Sequence, residues 1–258
     1  MIVVFTDLDG TLLDHDSYSF EPAKPALHLL AERGIPLILA SSKTEAEMRP
    51  IADAIGIASP MIVENGAGIV DLPGRKSEVA NHYESLRAFL QSLPEEISGL
   101  FQGFGDWSDD EVASRTGLSL AAARLARKRR FSEPGLFSGT DRQKAEFIAH
   151  IEAAGYDAAQ GGRFLTLMPR TSKAERMAEI VAYYRDTLGE DVRTIALGDA
   201  PNDLAMLQAA DTGVIIANPS HTPLPVTERE THGIILRSPI PGPAGWNHMI
   251  HTLVETGF

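Results

Sequence analysis

Short, almost wholly apolar runs recur near both ends of the chain, each followed by a stretch with helical spacing. No other feature of the sequence restricts the fold as much. IVVF (2–5), PLILAS (36–41) and PMIVENGAGIV (60–70) read as strands in the first part, and VRTIALGDA (192–200), TGVIIAN (212–218) and GIILR (233–237) in the last. Residues 22–33 carry apolar positions at helical spacing and stop at Gly34, a common helix C-terminal signal. The stretch 44–56 opens with Thr44 and places Glu47 three residues later, the pattern of a reciprocal N-terminal cap. Further helices are expected over 173–186, from about 202 to 210, and over 245–255. Strands without a polar face, joined by helices, belong to a parallel sheet covered on both sides. The spacing therefore predicts an α/β fold with a Rossmann-like doubly wound parallel sheet.

Between these blocks the texture changes. From about 75 to 168 the chain is richer in charge and glycine, with amphipathic helices expected at 109–130 and 140–153 and strands at 99–104, 131–137 and 163–168. This segment reads as a second α/β domain inserted into the first: residues 1–75 and 169–258 form one domain and 76–168 the other.

Charge and composition exclude several partners. The 258 residues include 23 Lys+Arg and 35 Asp+Glu, a formal charge of 23 − 35 = −12. A chain this acidic repels a phosphate backbone, which argues against nucleic acid and anionic membranes as partners. With no cysteine, disulfides, thiolate metal sites and a Cys nucleophile are ruled out. Asp7 interrupts the N-terminal apolar run, and no apolar stretch reaches the ~20 residues of a membrane helix. These features predict a soluble, cytoplasmic protein; a monomer or homodimer with a small-molecule substrate is the further expectation.

Ligands of open parallel sheets bind beyond the carboxyl ends of the strands. Asp7 and Asp9 follow the first strand, Ser41 the second, and Asp199 and Asp203 the late one. Several carboxylates in one crevice are costly without a bound cation. Oxygen ligands with no His or Cys suit a hard ion, and Mg2+ is the natural choice. The eight histidines show no ligand spacing. Lys173 opens its helix, where a cation opposes the helix dipole, so this lysine reads as functional. Asn202 has the character of a helix cap.

In this order, D-L-D-G-T (7–11), Ser41, Lys173 and G-D-A-P-N-D (198–203) resemble the four motifs of the haloacid dehalogenase (HAD) superfamily of phosphohydrolases. The resemblance implies Asp7 as the nucleophile that forms an aspartyl-phosphate and Asp9 as the general acid/base. It implies that Ser41 hydrogen-bonds the phosphoryl group and that Lys173 neutralises phosphate and Asp7. The implied metal ligands are Asp7, Asp9 through its backbone carbonyl, and Asp199, with Asp203 holding a metal-bound water or orienting Lys173. The inserted domain resembles the α/β cap (C2B type) of the Cof-like branch. Within that branch VENGAGI (63–69), GFGD (103–106), TGLSLAAARLARKRRFSEP (116–134), GGRF (161–164) and GPAGW (242–246) resemble the mannosyl-3-phosphoglycerate phosphatase family.

That resemblance implies release of phosphate from mannosyl-3-phosphoglycerate to give mannosylglycerate, a compatible solute. A glycerate carboxylate calls for an Arg fork, for which Arg163 is the leading candidate, followed by Arg130, Ser132 and Lys43. Sugar hydroxyls want acidic or amide partners, and Glu64 and Asn65 follow the third strand. Thr11, Ser42 and Asn202 complete the expected substrate contacts. The R-K-R-R run at 127–130 equally fits a solvated helix end. A glucosyl-3-phosphoglycerate or broader sugar-phosphate phosphatase, a phosphomutase, and a non-catalytic sugar-phosphate-binding protein on the same fold are the alternatives.

Overall fold

The computed structural model describes residues 1–74, 82–161, 163–220 and 222–257. In chain order its first elements are β1 (Ile2–Thr6), α1 (Lys24–Glu32), β2 (Leu37–Ala40), α2 (Glu45–Ile55), β3 (Met61–Val63) and β4 (Gly68–Val70). Next come α3 (His82–Ser92), α4 (Glu95–Ser98), β5 (Phe101–Gly103), α5 (Asp109–Thr116), α6 (Leu120–Ala126), β6 (Glu133–Phe137) and α7 (Asp141–Ala153). After β7 (Tyr156–Gly161) and β8 (Phe164–Pro169) follow α8 (Lys173–Leu188), β9 (Arg193–Gly198), α9 (Leu204–Ala209) and β10 (Thr212–Ala217). The last are α10 (Glu228–Thr231), β11 (Ile235–Pro241) and α11 (Gly242–Thr256).

The chain divides into two compact units. One comprises Met1–Ser41, Ala52–Leu72 and Ser172–Phe258; the other comprises Ser42–Ile51 and Pro73–Thr171. The expected boundary between residues 75 and 76 lies outside the described residues.

The first unit holds a seven-stranded sheet in the order β11-β10-β9-β1-β2-β3-β4. Neighbouring strands run parallel except β3 and β4. Alternation along β1 explains the cover on both faces. Val3 and Phe5 join Met177, Ile180 and Val181 of α8 and Met206 and Leu207 of α9 in one buried cluster. Thr6 projects to the other face, where buried Trp246 of α11 donates its indole N–H to Thr6 Oγ1 at 3.0 Å. On that side α1 is tied to α11, because the Ala26 amide donates to Asn247 Oδ1 at 2.9 Å and Arg33 to the Val254 carbonyl at 2.8 Å. Register brings Thr6 opposite both Leu39 and Leu197, so the loops after β1, β2 and β9 leave one edge of the sheet together.

The expected single strand over 60–70 is instead a hairpin, with Val63 pairing with Gly68. Glu64, Asn65 and Gly66 have φ of 52°, 61° and 92°, left-handed values that reverse an otherwise strand-like run.

The second unit is a four-stranded antiparallel sheet in the order β5-β6-β8-β7. Leu86 and Leu90 of α3 and Phe147 and Ile151 of α7 pack with Leu165 and Leu167 of β8. A separate cluster joins Phe104 and Trp107 to Val112, Ala123 and Ala126. The helix expected over 109–130 is two helices: Gly117 at φ 82° ends α5, and the Ser119 side chain accepts the Ala122 amide to start α6. Among the described residues no helix is long and apolar enough to cross a membrane.

The Trp246–Thr6 bond supports β1 one residue before Asp7. Trp246→Phe removes that donor and part of a fully buried side chain. It is expected to destabilise the protein by about 1–3 kcal/mol, measured by urea denaturation.

Candidate active site

The edge where β1, β2 and β9 end carries a buried charge cluster centred on Lys173. Asp7 follows β1, and its amide donates to the Leu197 carbonyl at 2.9 Å, continuing the ladder one step past the strand. Lys173 is the first residue of α8, whose N-terminus is closed by a reciprocal cap. The Ser172 amide donates to Glu175 Oε2 at 2.9 Å, and the Glu175 amide donates to Ser172 Oγ at 3.2 Å. From there Lys173, 1% exposed, sends Nζ to Asp7 Oδ1 at 2.7 Å and to Asp203 Oδ1 at 2.6 Å. Two charge-assisted bonds outweigh the unfavourable dipole at a helix start.

The loop after β9 is shaped by its own carboxylates. Asp203 Oδ2 accepts the amides of Asp199 and Ala200 at 3.2 and 3.1 Å, so one oxygen holds the loop while the other holds Lys173. Asp199 accepts Thr11 Oγ1 on Oδ1 at 2.8 Å and Asn218 Nδ2 on Oδ2 at 2.7 Å. The close fit needs Gly10, at φ 78°: a Cβ there would lie 2.4 Å from Asn218 Nδ2 and 2.8 Å from Asp199 Oδ2.

Asp7, Asp199 and Asp203 each offer a carboxylate oxygen, all within 4.8 Å of one another and all buried. The Lys173 ammonium bonds two of these three carboxylates, Asp7 and Asp203. Burial first, and then the charge of Asp203, raise the Asp7 carboxyl well above the usual carboxylate range, although Lys173 opposes both. Burial works against a charged Lys173, but Asp203 and Asp7 outweigh it and hold its pKa above the ordinary lysine value. The surplus of buried negative charge and the all-oxygen donor set fit a hard divalent cation. The carboxylates that converge are these three, and Asp9 does not join them through its side chain.

The other expected residues are placed as follows. Asp9 is half-buried in a tight turn closed by the Leu13 amide on the Leu8 carbonyl at 2.8 Å and the Gly10 amide on the Leu13 carbonyl at 2.9 Å. Ser41 is buried, its amide donating to the Ile62 carbonyl at 3.0 Å and its carbonyl accepting the Asn65 amide at 2.8 Å. Glu64 is buried beside it, and Asn65 Oδ1 accepts Asn202 Nδ2 at 3.0 Å. Thr11, expected at the substrate, is fully buried and spends its hydroxyl on Asp199.

Ser42, Lys43, Arg130, Ser132 and Arg163 belong to the second unit. There Arg129, not singled out in the sequence, donates to Ser132 Oγ at 2.7 Å and at longer range to the Ser42 carbonyl. Arg130 pairs with Glu45, and Arg127 and Arg124 pair with Asp109. Of the run 127–130, Arg127, Arg129 and Arg130 have these partners, while Lys128 and Arg130 remain exposed just past the end of α6. Arg163 is exposed, donates to the Arg115 carbonyl at 2.6 Å and lies over the Phe164 ring. Gly162 of the GGRF stretch lies outside the described residues.

Sequence reasoning missed Asn218 and a buried network under α3. In that network Glu133 accepts the Gly105 amide at 2.7 Å and faces Tyr83 and Arg87, while Arg87 forks onto Asp106. Burial raises the Glu133 carboxyl. A Cβ on Gly103 would lie 2.0 Å from Glu133 Oε1, and one on Gly105 2.5 Å from the Tyr83 hydroxyl. The GFGD stretch was the available signal, because its glycines leave the space that these side chains fill.

The chain thus combines a doubly wound sheet with an aspartate–lysine–aspartate cluster at its carboxyl edge. A family model for haloacid dehalogenase-like hydrolases matches residues 4–94 and 136–228, and the chain belongs to that family. It is 35% identical to the glucosyl-3-phosphoglycerate/mannosyl-3-phosphoglycerate phosphatase of Methanococcoides burtonii, over 98% of this chain and 97% of that one. To the protein of the same name from Persephonella marina it is 34% identical, over 98% and 97%. Its fold is that of the sucrose-phosphatase from Synechocystis sp., solved with sucrose and phosphate. The TM-score is 0.61 at 13% identity, covering 100% of this chain and 98% of that one.

Lys173→Met leaves the Asp7 and Asp203 carboxylates facing each other in a buried site. The loss is expected to be about 3–5 kcal/mol at pH 7. The raised pKa of Asp7 stabilises the folded state below the unfolded pKa and ceases to do so as pH rises through the folded one. The deficit should therefore shrink at pH 5, as followed by urea titrations at the two pH values.

Proposed function

We propose that the chain is a phosphoric monoester hydrolase that removes phosphate from mannosyl-3-phosphoglycerate, the glucosyl compound being the alternative substrate, through an aspartyl-phosphate on Asp7. The observation that carries this reading is Lys173 held between Asp7 and Asp203 beside Asp199. The names of the two relatives support the substrate class.

Lys173 occupies Oδ1 of Asp7, which leaves Oδ2 to attack phosphorus. Burial makes that carboxylate more basic than a solvated one, while Lys173 favours its charged form and opposes the rise. As the Asp7–phosphorus bond forms, the bond to the ester oxygen breaks, and Asp9 gives that oxygen its proton. Asp9 then takes a proton from water as the water attacks phosphorus. The bond to Asp7 breaks, inorganic phosphate leaves and both carboxyl groups return to their starting state. Ser41 is the hydrogen-bond donor for the phosphoryl oxygens. Asp7, Asp199, Asp203 and the Asp9 carbonyl are the groups that would hold Mg2+. When bound, the ion supplies charge neutralisation at the phosphoryl oxygens. Thr11 and Asn218 fix Asp199 for that purpose. The unit containing Pro73–Thr171 would act as the cap that reads the leaving group.

The test is a panel of phosphorylated sugars and glycerates scored for released phosphate with Mg2+. Wild type should favour the glycosyl-3-phosphoglycerates, Asp7→Asn free of deamidated enzyme should be inactive but folded, and chelation should stop turnover until Mg2+ is restored. Uniform activity across the panel would remove the substrate assignment and leave the phosphatase reading intact.

A separate comparison addresses the leaving group. If Arg163 binds the glycerate carboxylate, Arg163→Ala should lower kcat/KM for the phosphoglycerate roughly ten- to hundredfold and scarcely change hydrolysis of an aryl phosphate. Equal effects on both substrates would return Arg163 to its bond with the Arg115 carbonyl.

A further inference from the structure

The turn between β3 and β4 is strained and tied down at several points, and the hydrolytic scheme does not use it. Glu64 and Asn65 are consecutive non-glycine residues at φ 52° and 61°, followed by Gly66 at 92°. Left-handed backbone is unfavourable for a non-glycine residue and persists where its surroundings enforce it. Here the Asn65 amide donates to the Ser41 carbonyl at 2.8 Å, Asn65 Oδ1 accepts Asn202 Nδ2 at 3.0 Å, and the Gly66 carbonyl accepts Arg176 Nε at 3.1 Å. Gly66 also abuts the start of α8 directly. A Cβ on it would lie 2.4 Å from the Lys173 amide nitrogen and from the Ser172 carbonyl carbon.

We propose that Arg176 is a positioning residue for Lys173, acting through this turn. Its guanidinium is anchored by Glu179 one turn further along α8, while Nε draws the Gly66 carbonyl toward the helix. The turn is thereby pressed against the backbone of Lys173, and the reciprocal cap of Ser172 and Glu175 closes the same helix end. Held by both, the first residue of α8 cannot swing. Its long side chain therefore starts from a fixed point and reaches both Asp7 and Asp203. Arg176 is bonded to the Gly66 carbonyl and to Glu179, and it acts on Lys173 through Gly66. The inference rests on the proposed role of Lys173 beside the nucleophile and is independent of which phosphate ester is cleaved.

Two isosteres isolate the bond. Gln places its amide nitrogen the same number of bonds from Cα as Arg places Nε, and Met places a methyl group there. With Asp7→Asn as the inactive control, Arg176→Met should lower kcat about five- to tenfold on both an aryl phosphate and the glycosyl phosphoglycerate, with KM within about twofold on each. Arg176→Gln should recover most of the loss. A packing or charge role would leave Gln and Met alike, and that result overturns the proposal. So does a Met variant with unchanged kcat, or a loss confined to KM for the phosphoglycerate. If Met does not fold and Gln does, Gln at wild-type kcat supports the donor role and Gln reduced tenfold refutes it. Failure of the glycosyl substrate with every variant would count against the substrate assignment alone, since the aryl phosphate still reports on Lys173.

Discussion

One buried ammonium shared by two carboxylates is the constraint around which the first unit is arranged. Lys173 comes from the start of a helix, Asp7 from the end of β1 and Asp203 from the loop after β9. None of the three is tolerable at its depth without the others. Satisfying that requirement demands parallel strands in a register that ends β1 and β9 together. It also demands a helix whose first residue points inward, and a loop whose amides are taken up by the second oxygen of Asp203. The metal-ready concentration of negative charge follows from the same arrangement, because Asp199 brings a third carboxylate to it.

Close approach at glycine recurs wherever this economy of space is tightest. Gly10 leaves room for Asn218 and Asp199 against the first loop, Gly66 lets a turn touch the backbone of α8, and Gly103 admits the Glu133 carboxylate in the other unit. In each case a methyl group would sit closer than van der Waals contact allows. Two of the three also need a left-handed backbone. These positions therefore carry a double requirement, of conformation and of room.

The fold was legible where one physical signal dominated. Buried parallel strands need no polar face, so their runs stand out, and the Thr44–Glu47 pair seen as a pattern closes the start of α2 through bonds of 2.8 and 3.2 Å. The signal failed where two apolar runs flank a tight reversal: residues 60–70 read as one strand because nothing in Glu64 or Asn65 announces a positive φ. It failed again at Gly117, where helical spacing continues across a real break, and at β7, an edge strand whose sequence YDAAQG is largely exposed and carries little periodicity. The acidic and lysine positions of the site were visible because they follow strands or open a helix. Asn218 and Arg176 were hidden, since their roles depend on which loop happens to lie opposite, and spacing along a chain does not encode that. Thr11 shows the converse, because its place beside the aspartates was apparent while its partner was not.

The protein has two tryptophans, and they fall in different units. Trp246 is enclosed by the first sheet and hydrogen-bonded one residue away from Asp7, whereas Trp107 lies beneath the Arg115 guanidinium at 4.4 Å in the second unit. Each unit thus contains its own intrinsic fluorophore in a distinct electrostatic setting. Emission from single-tryptophan variants would separate the melting of one unit from that of the other without an added label. The indole near Thr6 would also register events at the carboxylate cluster optically, independently of any chemical turnover.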